Sequence, residues 1–442
     1  MANSNSSTTP KKLTFMSIYF LGINTIVGSG AFLLPKTIYR EMGLASILVL
    51  LVAAIVSSVI AICYASLASR FSNSGAAWLY TYNGLGRFAG FQVGIFEWFM
   101  GCCSIAAETI ALVTILRNIF PIFRQSIFFH AMVWILILLL AGINLFGTSI
   151  VKWTDNISSI TKVAVMIIVI VAGIFFVKYA NLTPFLPAGA HSASSIASRF
   201  GAAFSVVFYM FSGFSFIPIA AGKMKNPTKN IPKALFWVML SITILYIAMQ
   251  FVTVGLLGAK TGQFDIPVAN ALAVVLGKIG YYIVILGILV SIFGVAFSIS
   301  FNTPVLAASL AHDHHLFPQV FGKENRYHSP YVAIIISTVV ALLLTHFSYL
   351  FLVSAIVLTS FIQYITSIVS LMKFQKTGTY PSTGFHLPLK YTFPILALIF
   401  SLYLLFNVRF DVLMTAFIVF IAGSVVYLYR LKEDKMTGSS IQ

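Results

Sequence analysis

Acidic residues are scarce in this chain: ten Asp and Glu among 442 residues. Charged residues of both signs make up only 8%, where a soluble domain carries roughly 25%. A soluble fold cannot cover itself with so little charge, and a bilayer removes that need. Cysteine is equally sparse. Cys63, Cys102 and Cys103 all sit inside apolar runs, which excludes a disulfide framework and any CxxC-type metal site and leaves them as packing residues. No GxxxxGK[ST] pattern occurs, so nothing points to direct ATP drive. Neither a cofactor nor a metal is implied.

What the chain has instead is hydrophobicity, with 59% apolar residues. After a polar, Ser/Asn-rich stretch to Pro10 and the pair Lys11-Lys12 comes an apolar run too long for the ~7–15-residue core of a secretory signal, with no small-residue cleavage site after it. It reads as a retained membrane segment. Twelve such runs predict transmembrane helices near 14–39, 44–68, 88–117, 127–147, 157–178, 196–221, 233–257, 276–311, 330–347, 350–372, 388–407 and 410–430, each long enough for the ~20 residues (range ~17–25) that a bilayer requires. The eighth is long enough to tilt or to extend past the membrane.

An even number of spans puts both termini on one side. Placing that side in the cytoplasm leaves 17 of the 27 Lys and Arg inside, nine outside and Lys162 within the fifth span, as the excess of cytoplasmic Lys/Arg in membrane proteins requires. The expectation is a multi-pass plasma-membrane protein with both termini cytoplasmic. The formal charge of +17 is then a topology signal and an attraction to anionic lipid. Nucleic acid as a partner does not fit charges held in short loops between apolar spans.

Two spans are interrupted alike. The first holds Gly28-Ser29-Gly30-Ala31-Phe32-Leu33-Leu34-Pro35, and the sixth holds Ser212-Gly213-Phe214-Ser215-Phe216-Ile217-Pro218. Gly favours unwinding and Pro withholds a backbone donor. One such interruption describes an ordinary kink. A matched pair in two halves of a chain points to a binding site between inverted repeats, because bare backbone at membrane depth is tolerated only where it lines a cavity. Half-helix N-termini suit a carboxylate, and freed carbonyls suit an ammonium group. A site with both fits the α-carboxylate and α-amine of an amino acid.

At these residues the chain resembles the amino acid–polyamine–organocation (APC) transporter family. The resemblance rests on the two interruptions, on Lys225-Asn226-Pro227 with Asn230-Ile231-Pro232 after span six, and on Leu316-Phe317-Pro318 after span eight, and it runs from about residue 12 to 430. It implies an all-α, leucine-transporter-type fold: a five-plus-five inverted repeat over 13–178 and 196–372 with helices 1 and 6 discontinuous, two peripheral spans over 388–430, and tails at 1–12 and 431–442. It also implies alternating access, with the N–H groups of Ser29 and Gly30 holding the substrate carboxylate and the carbonyls of Ile26, Tyr209 and Ser212 holding the amine, beside Gly213. Tyr209 matches an aromatic gate. The gate position in span eight falls near Ser300, so Phe297 or Phe301 has to substitute. Many members carry an acidic residue where this chain has Ser215, which removes that route to proton coupling.

Charges within spans narrow the reading further, since intramembrane charges face the bundle interior. Glu97 and Glu108, eleven residues apart in span three, share a helical face with Gly101 and Ser104. The resemblance places Glu97, Met100, Gly101 and Glu108 against the substrate side chain, and Glu108, nearer mid-membrane, is the candidate contact for a cationic one. A buried neutral carboxyl is the alternative for both. Lys162 lies roughly 7–8 Å into span five at ~1.5 Å per residue. It can snorkel, or, as in a branch of the family, fill the place of a sodium ion beside span one and exchange a proton during transport. The cluster His312, Asp313, His314 and His315 reads as a cytoplasmic cap, because consecutive helical side chains rarely converge on one ion.

The sequence therefore predicts a secondary active amino acid transporter, either a proton-coupled symporter or an exchanger of amino acids or amines, with a cationic amino acid favoured. A neutral amino acid is the alternative cargo. An integral membrane transferase using the His cluster, and a channel or receptor, are the alternative classes.

Overall fold

The computed structural model describes residues 12–73, 75–146, 151–187, 189, 192–312, 316–406 and 408–437. Among them the chain is all-helical, apart from a single parallel bridge between Leu13 and Met224. Asp313, His314 and His315, most of the expected cap, lie outside the described residues, as do residues 1–11 and 438–442 of the tails.

The helices are α1 (Phe15–Ile26), α2 (Gly30–Leu33), α3 (Pro35–Met42), α4 (Ser46–Ala68), α5 (Ala76–Leu85), α6 (Arg87–Ile119), α7 (Ser126–Leu145) and α8 (Val151–Ile174). After them come α9 (Ala193–Phe211), a 3-10 segment Phe214–Lys223, α10 (Pro227–Leu257), α11 (Pro267–His312), α12 (Tyr331–Leu344), α13 (Tyr349–Thr377), α14 (Thr392–Phe406) and α15 (Phe410–Thr437). Nine helical stretches among the described residues are long and apolar enough to cross a membrane, and three shorter apolar helices stand at the predicted first, ninth and eleventh spans. The long span Pro267–Ala311 departs from helical geometry at Gly277, whose φ of 61° is one glycine tolerates.

Helices that are apolar all round sort by what they touch. An 18-residue apolar stretch within Arg87–Ile119 is 89% buried, against 11% for the one within Phe410–Lys432, so α6 is the central post and α15 is at the lipid rim. Association between membrane helices relies on close packing through small residues, since lipid is as apolar as leucine. Gly101 of α6 meets Thr303 of α11, and on α11 Gly287 meets Val165 and Gly294 meets Ser158, both of α8. A Cβ at any of the three would come within 2.2 Å of its neighbour.

One element has no counterpart among the predicted spans. The ten-residue helix α5 lies between spans two and three with Trp78 and Tyr80 buried. It is too short to cross a bilayer and packs along α6 and α13 instead.

Candidate functional site

Both predicted interruptions are real breaks. Helix α1 stops at Ile26, Val27 is extended, and helical geometry resumes at Gly30. Pro35 is not at the break: it occupies the first turn of α3, where its missing N–H costs nothing. Gly28 does the local work. A Cβ there would stand 2.5 Å from the Glu108 Oε1. In the sixth span Ser212 turns extended, Gly213 takes φ 105°, and the chain continues as a 3-10 helix through Pro218. A Cβ on Gly213 would lie 2.3 Å from the Thr25 carbonyl oxygen. The two breaks therefore touch, backbone against backbone.

Each end of the first break has a buried ionisable partner. Lys162, fully buried, donates to the Val27 carbonyl at 2.7 Å, the Asn24 carbonyl at 3.3 Å and the Asn24 side-chain oxygen at 2.7 Å. Orphan carbonyls at a helix C-terminus, with the negative end of its dipole, attract such a cation. Snorkelling does not describe this lysine. On the other side of the break, Ser29 N–H donates to both oxygens of Glu108 at 3.2 and 3.1 Å, Ser29 Oγ donates at 3.0 Å, and Tyr209 Oη donates at 3.1 Å. Tyr349 Oη lies 2.9 Å from Ser29 Oγ and extends the chain. The donor expected to hold a substrate carboxylate is thus engaged by a carboxylate of the protein itself.

A cavity of about 120 Å³ opens where the breaks meet. Ile26 and Gly30 line it from the first break, Tyr209, Ser212 and Gly213 from the second, and Met100 and Glu108 from α6. Those are seven of the residues singled out from sequence. Ser29 reaches the cavity through its bonds to Glu108. Gly101 instead packs on Thr303. The expected aromatic substitutes are not there. Phe297 packs with Leu140 and Ala296 and stacks on Phe293, and Phe301 does not line the cavity. That wall is Val295, Ser298, Ile299, Asn302 and Thr303. These share one helical face, and Phe297 and Phe301 lie off it.

Glu97 also takes a different place. It is buried well below the cavity, roughly 16 Å along α6 from Glu108 at ~1.5 Å per residue, and accepts the backbone N–H of Trp78 in the first turn of α5. A carboxylate there satisfies an orphan donor and complements the helix dipole, so Glu97 docks α5 onto α6.

Asp265, in the connection between α10 and α11, draws in Lys36 of α3 and Arg117 of α6 at 2.7 and 3.5 Å. The hydrogen bond from Lys36, with further attraction from Arg117 and Arg40, holds the Asp265 carboxyl below the usual carboxylate range. A lowered acid contributes stability above its ordinary pKa and loses it as pH falls through the lowered value. Because the cluster is partly exposed, Asp265→Asn is expected to cost only about 0.5–1 kcal/mol at neutral pH. It should also flatten the acid side of a melting-temperature-against-pH profile, and an unchanged acid limb would refute the assignment.

Two broken membrane helices meeting at a buried cavity, with a cation at the carbonyl end and a carboxylate at the N–H end, define the class as a membrane transporter. The amino acid permease family profile matches residues 13–429, and the chain belongs to that family, within the APC transporters; it is a transporter and not an enzyme. An uncharacterized transporter of Mycobacterium tuberculosis is 29% identical over 82% of this chain and 79% of its own length. The branched-chain amino acid permease BcaP of Bacillus subtilis is 25% identical over 98% of this chain and 96% of its own. The chloroplastic cationic amino acid transporter 9 of Arabidopsis thaliana is 26% identical over 59% of this chain and 48% of its own.

Proposed function

We propose that this chain carries an amino acid across the plasma membrane by alternating access around the cavity between the two breaks, as a proton-coupled symporter or an exchanger. In this reading the nine long and three short apolar helices make twelve spans. The stretches 13–178 and 196–372 are the inverted repeats, 388–430 the peripheral spans, and the tails at 1–12 and 431–442 are cytoplasmic. The observation that carries the proposal is the meeting of Thr25–Gly30 with Tyr209–Gly213 at one buried cavity. Protein dipoles of both signs converge there on a space fit for a zwitterion. Ile26, Gly30, Tyr209 and Ser212 are assigned to the cargo backbone, joined by Ser29 once its bonds to Glu108 are released, Met100 and Glu108 to its side chain, and Lys162 to coupling. Since Glu108 both lines the cavity and is the acidic group within it, a cationic side chain is the favoured cargo.

A second reading, a neutral amino acid, has its own support. Glu108 is already served by Ser29 and Tyr209. A cavity of about 120 Å³ is slightly smaller than the ~150 Å³ that accepts benzene, so it suits a short side chain without widening. Counterflow of labelled amino acids into proteoliposomes, with and without a pH gradient, separates the readings. Under the first, histidine, lysine, ornithine and arginine compete, and Glu108→Gln lowers arginine counterflow more than tenfold while sparing alanine. If only alanine or serine competes, the neutral reading replaces it. If no amino acid is exchanged, both fall.

A further inference from the structure

A second cavity, of about 360 Å³, lies on the flank between α4 and α10. Ala54, Ser58, Ala61 and Ala65 recess α4, and Pro232 and Phe236 flank it on α10. Along α10 the trough runs from Pro232 to Thr243, roughly 17 Å at ~1.5 Å per residue. That is close to the ~15 Å depth of one leaflet, half of the ~30 Å hydrocarbon core.

The Pro232 end of this trough is the most basic place in the chain. Lys225, Lys229 and Lys233 are exposed there, and Lys229 stands on the same stripe of α10 as Pro232 and Phe236. No Asp or Glu occurs between Asp155 and Asp265, and none of the ion pairs among the described residues uses these lysines. Lys229 and its neighbours therefore present ammonium groups at headgroup height, above an apolar trough one leaflet long. Shape and charge together are the complement of an anionic phospholipid.

We propose that this trough is a binding site for an anionic phospholipid, with one acyl chain between α4 and α10 and the phosphate on the lysines, and that the headgroup restrains the start of the broken first span. The restraint follows from three contacts. The Lys233 ammonium lies 4.8 Å over the Phe15 ring, the Lys225 N–H donates to the Leu13 carbonyl at 2.9 Å, and Met224 bridges to Leu13. The lysine-bearing segment is stitched to the segment that opens α1.

Native mass spectrometry of the delipidated full chain, titrated with phosphatidylglycerol or phosphatidylcholine of the same acyl chains, tests binding without any reliance on transport. Phosphatidylglycerol is expected to bind at least tenfold more tightly. Lys225→Gln, Lys229→Gln and Lys233→Gln should each weaken it about fivefold and leave phosphatidylcholine unaffected. Ser58→Phe, at a half-exposed lipid-facing position, should fill the trough and weaken phosphatidylglycerol with the lysines intact. Amide exchange across residues 13–26 should slow with phosphatidylglycerol and not with phosphatidylcholine. Equal affinity for the two lipids, full binding in Ser58→Phe, or displacement by millimolar glycerol 3-phosphate overturns the site. Unchanged exchange over 13–26 overturns the restraint.

Discussion

Lys162→Met is expected to abolish uptake in proteoliposomes, by twentyfold or more, while the protein still inserts and can be purified. Methionine keeps most of the length of the side chain and removes the charge and all three donors. The carbonyls of Val27 and Asn24 and the Asn24 side-chain oxygen then lose the ammonium that now serves them. A buried acceptor left without its donor costs about 1–3 kcal/mol, and partial relaxation puts the total near 2–5 kcal/mol. Melting temperature should fall accordingly. The break is also the proposed seat of the cargo, so the unwound carbonyls will re-form a helical turn or shift, and either outcome destroys the geometry around Ile26. Uptake retained in full, with its pH dependence intact, would remove Lys162 from the mechanism.

The second large effect is expected at Gly213. An alanine there meets two penalties at once. Its φ of 105° lies where side chains are strained by about 1–3 kcal/mol, and the added Cβ would stand 2.3 Å from the Thr25 oxygen and 2.9 Å from its carbonyl carbon. Both are backbone atoms with no rotamer to change, so the breaks must part. Gly86 supplies the control, with φ 99° and no atom within 4 Å of a built Cβ. Gly86→Ala should register the strain alone and retain uptake. Gly213→Ala should melt several degrees lower than that control and transport at background. Equal behaviour of the two variants would mean that contact between the breaks is dispensable.

Much of this architecture was legible in the sequence because lipid imposes long apolar runs, and those runs mark where the helices stand. Both breaks were legible because Gly28 and Gly213 are residues that such geometry demands. Their surroundings were less so. Pro35 reads as part of the break and in fact opens α3, since a proline marks a boundary without saying on which side of it the helix lies. Helix α5 was missed because an apolar run of ten residues falls short of a span, although Gly75 and Gly86 bracket it. Phe297 or Phe301 was expected at the cavity because the resemblance puts a gate position near Ser300, while α11 is apolar all round and its sequence leaves its rotation open. The face bearing Ser298, Asn302 and Thr303 lines the cavity instead. A search for polar residues at a spacing of three to four would have found it. The bond from Ser29 to Glu108 joins residues 79 apart, and no local pattern announces it.

The meeting of Gly213 with Thr25 has a mechanical consequence. Side chains that pack can slip past one another by changing rotamer, and so absorb a small displacement. Two stretches of main chain pressed together have no such slack. The first and sixth spans thus meet here at a stiff knuckle, so that a tilt given to one is passed on to the other.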